Sequence, residues 1–192
     1  MLRLKEKLGP ILWQYPAQFT WNPERLESFF SILPRTQKEA ARLAQRHDER
    51  LNNRSWLRVG EDRPLRHAIE IRHESFVCQE FIDLLRKHNI GLVVADAVEW
   101  PLVMDVTSDF VYCRMHGSEQ LYASGYESDA IGMWARRVVA WAGGGEVTDG
   151  KRASAERASK VASRDVYIYF DNDAKVRAPF DAMALQKRIT ER

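Results

Sequence analysis

Across residues 109–117, DFVYCRMHG, side-chain chemistry alternates: Tyr112, Arg114 and His116 fall on one parity, Val111, Cys113 and Met115 on the other. In an extended strand that period of two puts each set on its own face. Residues 67–72, HAIEIR, repeat the pattern, with Ala68, Glu70 and Arg72 opposed to Ile69 and Ile71. If the polar sets converge, carboxylate, imidazole and guanidinium groups share one cavity. Glu70, Asp96, His116 and Asp171 are then candidate catalytic groups for general acid and base chemistry. Arg72 and Arg114 are candidates to clamp a carboxylate or phosphate, and Gln14, Asp96 and Asp171-Asn172-Asp173 end other strands at the same rim. His116, just before Gly117 at a strand's end, faces the cavity mouth. The same charges also suit a buried network that neutralises itself and fixes strand register.

Other constellations are weaker. Asp171, Asn172 and Asp173, with Asp96, have the oxygen ligands of a hard-cation site. A strand-ending turn uses the same residues, and no metal is assigned. No clustered His and Cys spacing suits zinc, and no GxSxG elbow is present. Tyr122 and Tyr126, around Gly125, are placed to line the rim and stack on a sugar or base, or to pack as ordinary aromatics. His67 and His73 take the parity opposite to Glu70, which reads as structural. No residue pattern names a cofactor.

Five strands must position these groups: 10–15, 67–72, 91–96, 109–117 and 164–173. Helical patterns lie between most of them. Thr36-Gln37-Lys38-Glu39 has the form of a capping box, opening a helix whose core face is Ala40, Leu43, Ala44, His47 and Leu51. A second helix follows Ser75, with Val77, Phe81, Leu84, Leu85 and His88 on one stripe. A third runs from about Ser128 to Ala142 through Ile131, Trp134, Ala135, Val138 and Trp141, and Gly143-Gly144-Gly145 stops it. Asn22-Pro23 starts a shorter helix, and a last one follows Pro179. Residues 143–164 have almost no large apolar side chains and read as a mobile surface excursion within a single domain. Strands alternating with helices imply a parallel sheet, either doubly wound or a closed barrel. The absence of a glycine-rich turn after any strand leans toward the barrel.

The chain has 192 residues, 45% of them hydrophobic, enough for one sizeable domain. Lys and Arg number 29 against 27 Asp and Glu, so no global field favours nucleic acid or an anionic membrane. Local basic stretches, 35–66 and 151–164, leave a nucleic-acid partner as a second reading beside a small-molecule ligand. Cys78 and Cys113 lack CxxC spacing and read as free buried thiols. No apolar run is long enough to span a bilayer and no secretory leader is evident, which makes the cytoplasm the default address. Oligomeric state is not legible.

The segments LGPILWQYP, RHDERL, RPLRHAIEIRHESF, GLVVADAVEWP, DFVYCRMHG with YASGY, and VYIYFDNDAKVRAPFDA resemble, in the same order, the YecE-like family, also called domain of unknown function 72. The resemblance implies a TIM-like barrel with a cavity at its polar strand ends and no established activity. It carries over Gln14, Glu70, Arg72, His73, Asp96, Arg114, His116, Tyr126, Asp171 and Asn172 as cavity positions. His73 is thus supported by motif and opposed by parity. Family members begin with a GTSGW-like and a VEIN-like strand, both absent before Met1. Five strands of an expected eight are present, and three more would need roughly 70 to 90 residues. The expectation is a partial barrel from a truncated chain or a misplaced start. Its function would be that of a small-molecule enzyme acting on a phosphorylated or sugar-like ligand, with a non-catalytic ligand-binding scaffold as the other possibility.

Overall fold

Each of the five expected strand segments forms a strand, and every pairing between them is parallel. The strands are β1 (Ile11–Gln14), β2 (His67–Glu70), β3 (Gly91–Ala97), β4 (Phe110–Gly117) and β5 (Asp165–Phe170), and they lie in the order β1-β2-β3-β4-β5. The computed structural model describes residues 2–52, 54–117, 125–172 and 176–191. Five helices connect or follow the strands: α1 (Pro23–Ile32), α2 (Gln37–Ala44), α3 (Gln79–Lys87), α4 (Ser128–Ala142) and α5 (Ala178–Thr190).

Strand order decides between the two architectures that alternation left open. Right-handed crossovers that always step the same way put every helix on one side of the sheet, whereas a doubly wound sheet reverses its order and covers both. The packing shows the one-sided case. Ile69, Ile71 and Leu92 pack with Leu26, Phe30, Phe81 and Leu85 of α1 and α3. Val94, Cys113 and Met115 pack with Trp134 and Trp141 of α4 and Leu185 of α5. On the opposite parity Leu12, Ala68, Val93, Ala95, Tyr112 and Tyr167 cluster among themselves with Trp100, which follows β3, and with no helix residue. The fold is a partial TIM-like (β/α) barrel, an arc of five strands that does not close, with its inner face carrying the polar parity.

Local signals account for most helix limits. Asn22 caps α1, its side chain accepting from the Arg25 amide at 2.9 Å, and Thr36 caps α2 by accepting from the Glu39 amide at 3.2 Å. α4 spans the expected residues and gives way at Gly143 and Gly144. Gly144 has φ +77, and a Cβ there would lie 1.8 Å from the Val161 carbonyl oxygen. Two expectations need correction. α2 stops at Ala44, and both Leu43 and Leu51 are exposed. It docks instead through Ala40 and Ala41 against Leu2 and Leu65, and Asp48 caps a separate 3-10 turn, Glu49–Leu51, because a short carboxylate competes for backbone amides better than it sits inside a helix. Ser75 lies in the 3-10 turn Glu74–Phe76, and α3 begins four residues later.

Residues 143–164 contain no helix or strand, as their composition implied, but they carry buried anchors. Asp105, itself buried, accepts from the Ala153 amide at 2.7 Å and the Ser154 amide at 3.1 Å. Arg86 donates to Ser154 Oγ at 3.1 Å and the Glu156 carbonyl at 3.1 Å, and Arg137 holds Asp149. The apolar count missed these because the anchors are polar. Replacing Asp105 with Ala leaves one buried and one half-buried amide without their acceptor and should cost about 3 kcal/mol. Urea unfolding measures the loss, and hydrogen exchange should speed up first at Ala153 and Ser154.

Candidate functional site

At the C-terminal ends of the strands the inner parity becomes charged, and Glu70 is its hub. The register puts Gln14 beside Glu70 and Arg114 beside Ala95 and Tyr169. Glu70 is fully buried. Its Oε1 accepts from Gln14 Nε2 at 3.1 Å and from Arg72 Nε and Nη2 at 3.1 and 3.0 Å, and its Oε2 accepts from Arg114 Nη1 at 2.6 Å. Arg114 also donates to Asp171, joining β2, β4 and the residue after β5. Burial alone would raise the Glu70 carboxyl. The nearby His116 and the hydrogen bonds from Arg114 and Gln14 overcome that and hold it at about 2.

His116 sits between the two carboxylates with no solvent exposure: Nδ1 lies 3.2 Å from Asp171 Oδ1 and Nε2 lies 3.7 Å from Glu70 Oε2. Trp100 packs edge-on against the imidazole, centroids 4.8 Å apart, while the Arg72 guanidinium lies 4.0 Å over the indole. Asp171 differs from Glu70. Its carboxyl is raised, by burial first, with His116 and Arg114 pulling the other way. At 24% side-chain exposure it is the accessible acid of the group and pairs with Arg114 at 16%, while Arg72, on the other side of Glu70's bonds, is 25% exposed. Below these groups, Tyr112 stacks on Tyr169 at 5.1 Å, and burial pushes its phenol up to about 12.

Six of the ten candidate residues therefore come together: Gln14, Glu70, Arg72, Arg114, His116 and Asp171. Glu70, expected as an acid or base, is ionised and saturated, and serves as the anchor instead. The other four stand elsewhere. Asp96 pairs in register with Met115, on the helix side, where burial raises its carboxyl and Tyr126 and Trp134 pull it the other way. Tyr126 is buried on the same side, its ring against Phe170 and its hydroxyl accepting the Gly117 amide at 3.2 Å. Asn172 is buried and donates to Asp181 at 2.8 Å. His73 caps the 3-10 turn, Nδ1 accepting from the Ser75 amide at 3.1 Å, which agrees with its parity over its motif. Asp173 and Tyr122 lie outside the described residues.

Trp100 and Asp181 belong to these surroundings without a strong sequence pattern to mark them. Trp100 had a faint signal, an aromatic before a proline directly after a strand. Asp181 had none, since an acid in a helix's first turn is ordinary. A groove of about 600 Å³ between α1 and α3, floored by Trp21 and Leu84, lies on the helix face. Its Glu27 is occupied by Lys87 and His88. Among the described residues no group of three or more His, Cys, Asp or Glu is arranged to hold a metal ion, and no helix is long and apolar enough to cross a membrane.

The contrast between Glu70 and Asp171 has a stability consequence. A carboxyl lowered by folding contributes stability that is present above its unfolded value and lost as pH falls through the folded one. For Glu70 that window runs from roughly pH 4.5 down to about 2. Glu70→Gln should cost about 3 kcal/mol at neutral pH, because it strands two guanidinium groups. It should also flatten the acid limb of stability across that window, as followed by circular dichroism during urea unfolding at stepped pH.

Comparison with known proteins agrees with this architecture. A DUF72 family protein of Thermotoga maritima MSB8 superposes with a TM-score of 0.64 at 22% identity, covering 97% of this chain and 59% of that one. A DUF72 family protein of Enterococcus faecalis V583 superposes at 0.62 with 16% identity, covering 96% and 60%. The chain thus spans about three-fifths of the length of these solved relatives, and the likeness shows the fold. No match is found among curated proteins. The family model described as protein of unknown function DUF72 matches residues 1–192, the full length of the chain, so this chain belongs to the DUF72 family.

Proposed function

We propose that the cluster at the strand ends is a small-molecule site in which His116 and Asp171 handle a proton while Arg72 and Arg114 orient a phosphorylated or sugar-like ligand. The observation that carries this reading is the 3.2 Å approach of His116 Nδ1 to Asp171 Oδ1, at the one accessible carboxylate of an otherwise locked network. A raised carboxyl beside an imidazole is the arrangement that general acid and base chemistry requires near neutrality. Glu70 supports it by keeping Arg114 charged and aimed, and the Trp100 indole beneath Arg72 offers an apolar wall. An anionic group entering the cavity would take guanidinium donors that now face Asp171 and Glu70, freeing Asp171 to act.

One observation favours a second reading, a non-catalytic scaffold: the acceptors of Glu70 are already filled from within the protein. Thermal melting in glucose 6-phosphate, glucose or inorganic phosphate tests for the ligand, and turnover of a probe that binds separates the two. A ligand at ten times its Kd should raise the melting temperature by ~3 °C, and Arg72→Gln should remove most of that rise. If none of the three probes moves the transition, or Arg72→Gln responds as the parent does, the ligand site is wrong. Where a probe binds and is turned over, His116→Gln should stop turnover while the thermal shift persists, whereas a scaffold shows the shift alone.

A further inference from the structure

The last ladder pair between β4 and β5 is Met115 with Phe170, followed by one backbone bond from the Asp171 amide to the Met115 carbonyl at 3.1 Å. Sheet pairing therefore ends just where His116 and Asp171 must be held. Asp181, in the first turn of α5 and only 6% exposed, stands behind that point. Its Oδ2 accepts from Asn172 Nδ2 at 2.8 Å and from the Tyr126 amide at 3.2 Å. Asn172 follows Asp171 in the chain. The Tyr126 hydroxyl accepts the amide of Gly117, which follows His116. The His116 to Asp171 contact closes these ties into a ring.

We propose that Asp181 is a positioning residue that sets the separation of His116 and Asp171 from the helix side of the sheet. Both of its bonds end on a single oxygen, so an asparagine carbonyl oxygen at that place can accept both, whereas alanine accepts neither. The inference rests on the proton-handling reading of the pair for its purpose, but its test needs no ligand. The groups facing the Asp171 carboxyl are His116, Arg114 and, farther off, Glu70. The His116 charge pulls the carboxyl down against burial, so a pair that drifts apart titrates higher.

The experiment is a carbon-13 carboxyl titration of Asp171 by NMR in the full chain. Asp181→Ala should move the Asp171 midpoint up by ~0.5 unit or more, and Asp181→Asn should hold it within ~0.2 unit of the parent. Tyr126→Phe removes the hydroxyl at the other end of the ring and should shift Asp171 in the same direction. An Asp181→Ala protein that melts earlier but titrates at the parent midpoint makes Asp181 a fold support only, and overturns the proposal. If Asp181→Ala does not fold, an unmoved midpoint in Tyr126→Phe overturns it equally. Failure here leaves the ligand-binding test standing, and failure of that test leaves this ring of contacts to be judged by its own titration.

Discussion

A fully buried carboxylate with every bond directed inward organises the strand ends of this protein. Taking Glu70 out of water is expensive unless positive and hydrogen-bonding partners surround it, and the partners here come from β1, from the residue two beyond β2's last position, and from β4. That demand is what orders the inner face. Arg114 must reach across β3 to meet it, which requires Ala95 at the neighbouring register position: a larger inward side chain on β3 would stand in the way. Arg114 is then left with a second nitrogen for Asp171, and the accessible part of the cluster inherits its geometry from the inaccessible part.

The C-terminal end of the sheet carries polar groups on both sides, and they have different surroundings. Toward the inner face go Arg114 and His116. On the helix side, Asp96, Tyr126, Asn172 and Asp181 form a second buried polar system seated on the apolar packing of α4 and α5. Burial raises the carboxyl of Asp96, as it does that of Asp171, but Asp96 is buried while Asp171 keeps part of its side chain in solvent. Position relative to the sheet, more than residue type, separates the enclosed acid from the partly exposed one.

How much of this was legible follows from how each residue signals its face. Glu70, Arg72, Arg114 and His116 could be read because their strands alternate polar with apolar residues, and alternation in a strand has one structural meaning. Asp96 could not. GLVVAD is apolar on both parities, as parallel strands buried on two sides are, so its terminal acid reads as a rim group by its place at the strand's end, although it shares its parity with Val94 on the helix side. The sequence pattern makes α2 too long because helical spacing of Leu43, His47 and Leu51 continues past Ala44, while the competing cap at Asp48 is a single short residue. The anchors of residues 143–164 and the role of Asp181 depend on contacts between residues far apart in sequence, which no local pattern announces.

The sequential strand order implies a particular distribution of cohesion. Each strand shares its ladder only with its immediate predecessor and successor, as units do in a linear repeat, and such an array can fray from either end with little resistance from the middle. The bridge from Arg114 to Glu70 is different in kind, since it skips β3 and ties strands two places apart, across 44 residues of chain. The extension to Asp171 reaches the terminal unit. The charged cluster is thus also a cross-brace, converting a row of independent couplings into a segment whose members must open together.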